Sequence, residues 1–201
     1  MRSRTTRRAG RPRGFDAELA LDRALEVFWR KGYEGASLSD LTRAMGINRP
    51  SLYGAFGDKE ALFRKVLERY AEGPASFIRK ALEAPTARAV AERLLEGSLK
   101  LQMDPSHPRG CLTVHGALAC SNEAEPIRRE LIAWRQGMES DIRERLARAR
   151  AEGDLPRDAD PAALARYLVT VLQGMAVQAA GGASRKQMQA VIRTVLQAWP
   201  G

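Results

Sequence analysis

The chain is predicted to be all-α, with a three-helix N-terminal domain built around a helix-turn-helix and a larger helical C-terminal domain. Three observations carry this. Apolar residues recur at spacings of three and four along most of the 201 residues. No stretch shows the alternation expected of a half-buried strand. Clusters of Gly, Pro, Asn, Asp and Ser interrupt the helical pattern at intervals and mark turns. With 44% hydrophobic residues, the chain can fill one large or two small helical cores.

The net charge of +9 favours a polyanionic partner. Its distribution is uneven. Residues 1–14 hold six arginines (Arg2, Arg4, Arg7, Arg8, Arg11 and Arg13) and no acid, whereas residues 15–70 hold nine basic and nine acidic side chains. The first fourteen residues have almost nothing apolar to bury and are expected to be a flexible basic arm. Such an arm tracks phosphates, enters a minor groove, or is simply a solvated tail.

Residues 15–57 are expected to form a compact three-helix unit. Ser37 and Asp40 make a capping box at a helix start, and Leu38, Leu41, Ala44 and Met45 form one apolar face. Gly46 ends that helix, Ile47 anchors the turn, and Asn48 caps a second helix whose first turn holds Arg49 and Pro50. Leu52 and Phe56, four apart, must share an inward face. The opposite face then carries Pro50 and Gly54, flanked by Ser51 and Tyr53, and lets the backbone approach closely. Arg49 is long enough to reach a guanine edge or a phosphate. Two short helices joined by such a turn fit a DNA major groove.

These residues resemble the TetR family of bacterial transcriptional regulators. The likeness is close over residues 15–66 and rests on KGYEGASL, the turn MGINRPSLY and the pattern F-x-D-K-E-A-L. The resemblance implies a cytoplasmic, homodimeric regulator, most often a repressor, with double-stranded operator DNA and a small-molecule effector as partners. It assigns DNA contacts to Ser37, Ser39, Arg49, Pro50, Ser51 and Tyr53, and a phosphate contact to Lys59. Gly54 and Ala55 depart from it, since larger residues are usual there.

Asp58 caps the next helix, which runs to the break at Gly73-Pro74, so residues 58–73 are expected to link the two domains. Residues 74–201 should contain helices over 75–84, 86–102, 110–120, 123–152, 160–181 and 184–198. The run Tyr167 to Ser184 carries no charge. Its amide and small side chains suit packing against a twin helix rather than lipid. Met188, Val191, Ile192, Val195, Leu196 and Trp199 form a stripe on the last helix. Together the two helices are expected to meet a second copy as a four-helix bundle, or else to pack within one subunit. If the C-terminal helices enclose a pocket, Met103, His115, Leu118, Trp134, Met138 and Tyr167 are the side chains expected to line it.

His107, Cys111, His115 and Cys120 cluster within fourteen residues. One helix cannot gather all four around an ion, because Cys120 lies on the opposite side from Cys111, so no metal site is expected. Both cysteines read as small buried residues, with thiol sensing as the alternative. No nucleophile elbow, P-loop, metalloprotease helix or dinucleotide-binding glycine pattern occurs, so neither an enzyme nor a cofactor is expected. No hydrophobic leader follows the arginines, in keeping with a cytoplasmic protein. Three functional readings stand: a ligand-responsive DNA-binding regulator, a thiol- or metal-responsive variant of it, and an architectural DNA-binding protein without a ligand.

Overall fold

The computed structural model describes residues 14–116 and 121–200. The described residues form ten α-helices and no strand. The basic arm up to residue 13, Leu118 and Cys120 lie outside them.

Helix α1 (Ala17–Gly35) starts where the Asp16 carboxylate accepts hydrogen bonds from the amides of Glu18 and Leu19. It breaks at Gly32, whose φ of +70° is left-handed, and the Tyr33 amide donates instead to the Gly116 carbonyl at 2.9 Å. Helices α2 (Leu38–Met45), α3 (Arg49–Phe56) and α4 (Lys59–Glu72) come next, capped by Ser37, Asn48 and Asp58. Phe28, Leu41, Leu52 and Phe63, all fully buried, hold these four helices together. Leu112, Ile127 and Leu131 from farther along the chain complete that core. The first four helices are therefore welded to the C-terminal body rather than tethered to it.

Helices α5 (Phe77–Leu82), α6 (Ala87–Gln102), α8 (Glu125–Ala151), α9 (Pro161–Ala180) and α10 (Arg185–Gln197) build a second core around Leu94, Leu95, Ile142, Leu146 and Leu168. Arg145, buried on α8, donates to the carbonyls of Leu82, Ala84 and Pro85 and so satisfies the acceptors that end α5. Ile78 packs against both cores. No helix among the described residues is long and apolar enough to cross a membrane.

Two segments differ from expectation. Within 110–120 only the short α7 (Leu112–His115) is helical among the described residues. The reason is long-range: the Gly110 amide donates to Gln102 Oε1 at 2.8 Å and its carbonyl, which an early helical turn would need as an acceptor, instead accepts from Trp29 Nε1 at 3.0 Å. Its φ of +99° is also left-handed, and a Cβ there would lie 2.6 Å from the His115 ring. Met188, Ile192 and Val195 on α10 and Trp199 just beyond it, all of the expected interface stripe, are buried within the subunit, while Val191 stays 40% exposed.

Candidate nucleic-acid interface and its connected cavity

The reading head is locked by its own side chains. Ser37 Oγ accepts from the Asp40 amide at 3.0 Å and Asp40 Oδ2 accepts from the Ser37 amide at 3.2 Å. Lys31 Nζ lies 2.8 Å from the same carboxylate, and this partner together with Ser37 holds the Asp40 pKa down at about 2. Gly46, with φ of +70°, ends α2. Asn48 Oδ1 then accepts from the Ser51 amide at 2.9 Å and starts α3.

Leu52 and Phe56 are buried, which turns Arg49, Pro50, Tyr53 and Gly54 to solvent and leaves Ser51 at the rim. Arg49 Nη2 donates to Ser39 Oγ at 3.2 Å, so the first turn of α3 and the start of α2 present one polar ridge with Ser37 beside it. Tyr53 is 49% exposed, and a Cβ at Gly54 would meet nothing within 4 Å. Arg23 and Arg43 form no ion pair among the described residues, whereas Arg64 and Arg69 on α4 are tied to Glu60, Glu130, Glu18 and Asp22.

Lys59 opens α4, and its ammonium sits 4.5 Å above the Tyr33 ring. Burial lowers its pKa, partly opposed by Glu34. Tyr33 is itself wedged edge-on to Phe63 at 5.2 Å, and burial, with Glu60 and Asp58 nearby, pushes its hydroxyl up to about 12. The ring, packed on Phe63, is thus a shelf for the lysine. Tyr33 is part of the KGYEGASL signature, but its role depends on a contact 26 positions away and is invisible to local spacing.

A narrow apolar cavity lies among α4, α5, α6, α7, α8 and α9, with Tyr70, Ile78, Leu101, Cys111, Trp134 and Met138 on its wall. Phe77 closes it by seating its ring on Gly97, where a Cβ would come within 2.3 Å. Of the pocket residues expected from sequence, Trp134 and Met138 line this cavity. Met103 packs into the second core instead, and Tyr167 is 40% exposed on the outer face of α9. His115 folds back so that Nδ1 accepts from the Cys111 amide at 3.3 Å. Leu118 lies outside the described residues. Ser98 and Gln102, which sequence reasoning missed, carried a signal: they are four apart on the otherwise apolar face of α6.

Cys120 lies outside the described residues, and the described histidines and Cys111 have separate partners. His107 stacks on Trp29 at 5.5 Å, while Cys111 Sγ accepts from the Tyr70 hydroxyl at 3.4 Å. Among the described residues no group of three or more His, Cys, Asp or Glu is placed to hold a metal ion.

The segment from His107 to Gly116 joins the cavity to the head. Cys111, Thr113 and Val114 line the cavity, while Gly110 and Gly116 hold Trp29 and Tyr33 of α1.

A polar, partly cationic ridge on a capped helix-turn-helix, fused to a helical body with a cavity, defines a DNA-binding regulator. Residues 20–66 match the family model for bacterial regulatory proteins of the tetR family, and residues 91–195 match the tetracyclin repressor-like C-terminal domain. The HTH-type transcriptional repressor ComR of Escherichia coli is 32% identical, over 95% of this chain and 92% of that protein. The HTH-type transcriptional regulator YezE of Bacillus subtilis is 36% identical, over 79% of this chain and 83% of that one. Among solved structures, a cysteine-substituted form of the TetR-family regulator CifR, bound to a 26-bp double-stranded operator, shares 45% identity. It superimposes with a TM-score of 0.91, over 94% of this chain and 100% of that one. The chain belongs to the TetR family of bacterial transcriptional regulators. It is a DNA-binding transcriptional regulator, not an enzyme.

Proposed function

We propose that the protein is a homodimeric repressor that binds a palindromic operator and is released when a small molecule enters the cavity. The observation that carries this reading is the 107–116 segment, which is wall to the cavity and anchor to α1 at once. A ligand that favours one arrangement of this segment biases the spacing of the two reading heads, and only such differential affinity changes DNA binding. Arg49, Pro50, Ser51 and Tyr53 read the groove, Ser37 and Ser39 meet the flanking strand, and Lys59 on its tyrosine shelf holds a phosphate. The basic arm of residues 1–14 adds a salt-sensitive contribution, and residues 74–201 form the sensing and dimerising body. The protein works beside the chromosome, in the cytoplasm.

Dimerisation is supported by the outer face of α9 and α10. Tyr167, Val177 and Val191 are exposed apolar side chains there, and the space around Gly174 is open enough for a second helix to approach. The charge-free run of α9 supplies that approach without burying an unpaired ion.

The test is to sequence DNA fragments retained by the pure protein. Enrichment of a palindrome whose half-sites lie about one or a multiple of one helical turn apart supports the reading. Retention without sequence preference returns the architectural alternative.

A second reading, thiol responsiveness, is favoured by one observation: the Cys111 sulfur stands on the cavity wall, held by Tyr70 and 3.1 Å from Thr113 Oγ1. Alkylation of Cys111 by iodoacetamide that leaves operator affinity unchanged would exclude it.

A further inference from the structure

We propose that the effector is an uncharged, mostly apolar molecule bearing a hydroxyl or carbonyl group, bound between Ser98, Gln102 and Gln173; this rests on the cavity being the sensing site. No Lys, Arg, Asp or Glu lines the cavity among the described residues. A charged ligand would therefore leave water without a counter-ion to meet it.

The polar groups that do face the cavity are incompletely used. Ser98 is 4% exposed and Gln102 3% exposed, on one face of α6. Gln102 spends its carbonyl oxygen on the Gly110 amide, which leaves its NH2 group as a donor. Ser98 Oγ and the Gln173 amide have no hydrogen-bond partner among the described residues. None of these three side chains is among the fully buried atoms without a partner, and Gln173 is half-buried, so each polar group is open to the cavity space and can pair with a ligand oxygen there. The rest of the wall, with Trp134, Phe77 and Leu172, is apolar, and because the cavity holds about 40 Å³ a flat ring or short alkyl chain enters only as that wall gives way.

The way in is also visible. A broader outer groove, lined by Ala71, Arg79, Leu82, Gly137 and Asp141, shares Ala75, Ile78, Trp134 and Met138 with the cavity. Ile78, Trp134 and Met138 are only partly buried, and they form the partition between groove and cavity. The charged side chains of Arg79 and Asp141 stand outside that partition, and the neutral polar groups stand inside it. A ligand passing from groove to cavity leaves every charge behind.

The experiment is calorimetric titration of the full chain with three probes of equal shape: benzyl alcohol, benzoate and benzylammonium. The alcohol should bind about a hundredfold more tightly than either ion, because neither ion finds a counter-charge. Ser98→Ala and Gln173→Leu should each weaken the alcohol by about tenfold, the loss expected when a buried hydrogen bond is removed. Trp134→Phe should abolish the accompanying change in tryptophan fluorescence, which places the event at the cavity even if a polar variant folds poorly. Tighter binding of either ion, or no binding of the alcohol, overturns the proposed ligand class. Alcohol binding that responds to Ser98 and Gln173 but leaves operator affinity unchanged supports the ligand class and overturns the sensing reading.

Discussion

The reading head and the segment from His107 to Gly116 solve the same problem, a tight turn beside a helix, by opposite means. In the head every helix start has a side chain within three residues that satisfies it: Asp16 for α1, Ser37 for α2, Asn48 for α3 and Asp58 for α4. In the segment the partners of Gly110 are Trp29 and Gln102, which lie 81 and 8 positions away. The helix starts of the head are therefore specified locally, even though its core is completed by Leu112, Ile127 and Leu131 of the body. The segment takes its shape from both domains at once, and that dependence suits it to carry a signal between them.

The largest expected effect comes from breaking the segment. Gly110 and Gly46 both have positive φ, +99° and +70°. A Cβ at Gly46 would meet only the flexible end of Arg23 at 3.3 Å, whereas at Gly110 it would meet the His115 ring at 2.6 Å. Gly46→Ala should therefore cost about 1–2 kcal/mol, the left-handed penalty alone. Gly110→Ala should cost about 2–4 kcal/mol, adding overpacking. Equal urea midpoints for the two variants would show that the segment yields as easily as the head.

Next is the outer face of the body. Ala176 and Val195 are buried within the subunit, so charges there would unfold it and say nothing about assembly. Val177→Arg, at a site 48% exposed, should leave the fold intact and give monomers that lose palindrome binding. Sedimentation at micromolar concentration checks this, and an unchanged dimer would move the interface elsewhere.

Within the head, Arg49→Ala should lower specific operator affinity by about 1–3 kcal/mol if its guanidinium reads a base edge. Lys59→Ala should weaken all sequences alike and reduce the salt dependence by about one counter-ion. Tyr33→Leu should reproduce part of that loss, about 0.5–1 kcal/mol, while Tyr33→Phe keeps the ring and should bind as wild type does. Identical titrations for the Leu and Phe variants would remove the shelf role.

The smallest effect is in the cap. The Asp40 pKa, held at about 2 against an ordinary 3.8, makes the folded state favour the carboxylate. Its contribution to stability is complete above the ordinary value and is lost as pH falls through the folded one. Asp40→Asn should flatten stability between pH 4 and 2 relative to wild type and leave it little changed in slope near neutrality.

The same contrast explains what could be read from the sequence. The helix-turn-helix, its caps and the inward pair Leu52 and Phe56 follow from residues three and four apart, and the structure places them so. Of the helix expected over 110–120, the described residues are helical only at Leu112–His115, because Gly110 is held by hydrogen bonds from Trp29 and to Gln102 that only the folded body supplies. On the cavity wall, Trp134 and Met138 are legible from the spacing of large side chains on one long helix. Tyr167 has the same helical credentials but sits on the outer face of α9, because the uncharged run offers two apolar sides and spacing cannot say which is covered by the subunit itself. Met103 and His115 are expected there as large, partly polar side chains on neighbouring helices, but Met103 packs into the second core and His115 turns back to the Cys111 amide.

The central claim is that the cavity speaks to the operator through the Trp29–Gly110 link. The most direct test is operator affinity with and without saturating benzyl alcohol, in the wild type and in Trp29→Phe, which keeps a ring but removes the donor to Gly110. The wild type should lose affinity by about 5–150-fold, and the variant should still bind the alcohol while its loss shrinks towards none. A wild-type affinity that ignores the alcohol, or an equal loss in both proteins, would contradict the account.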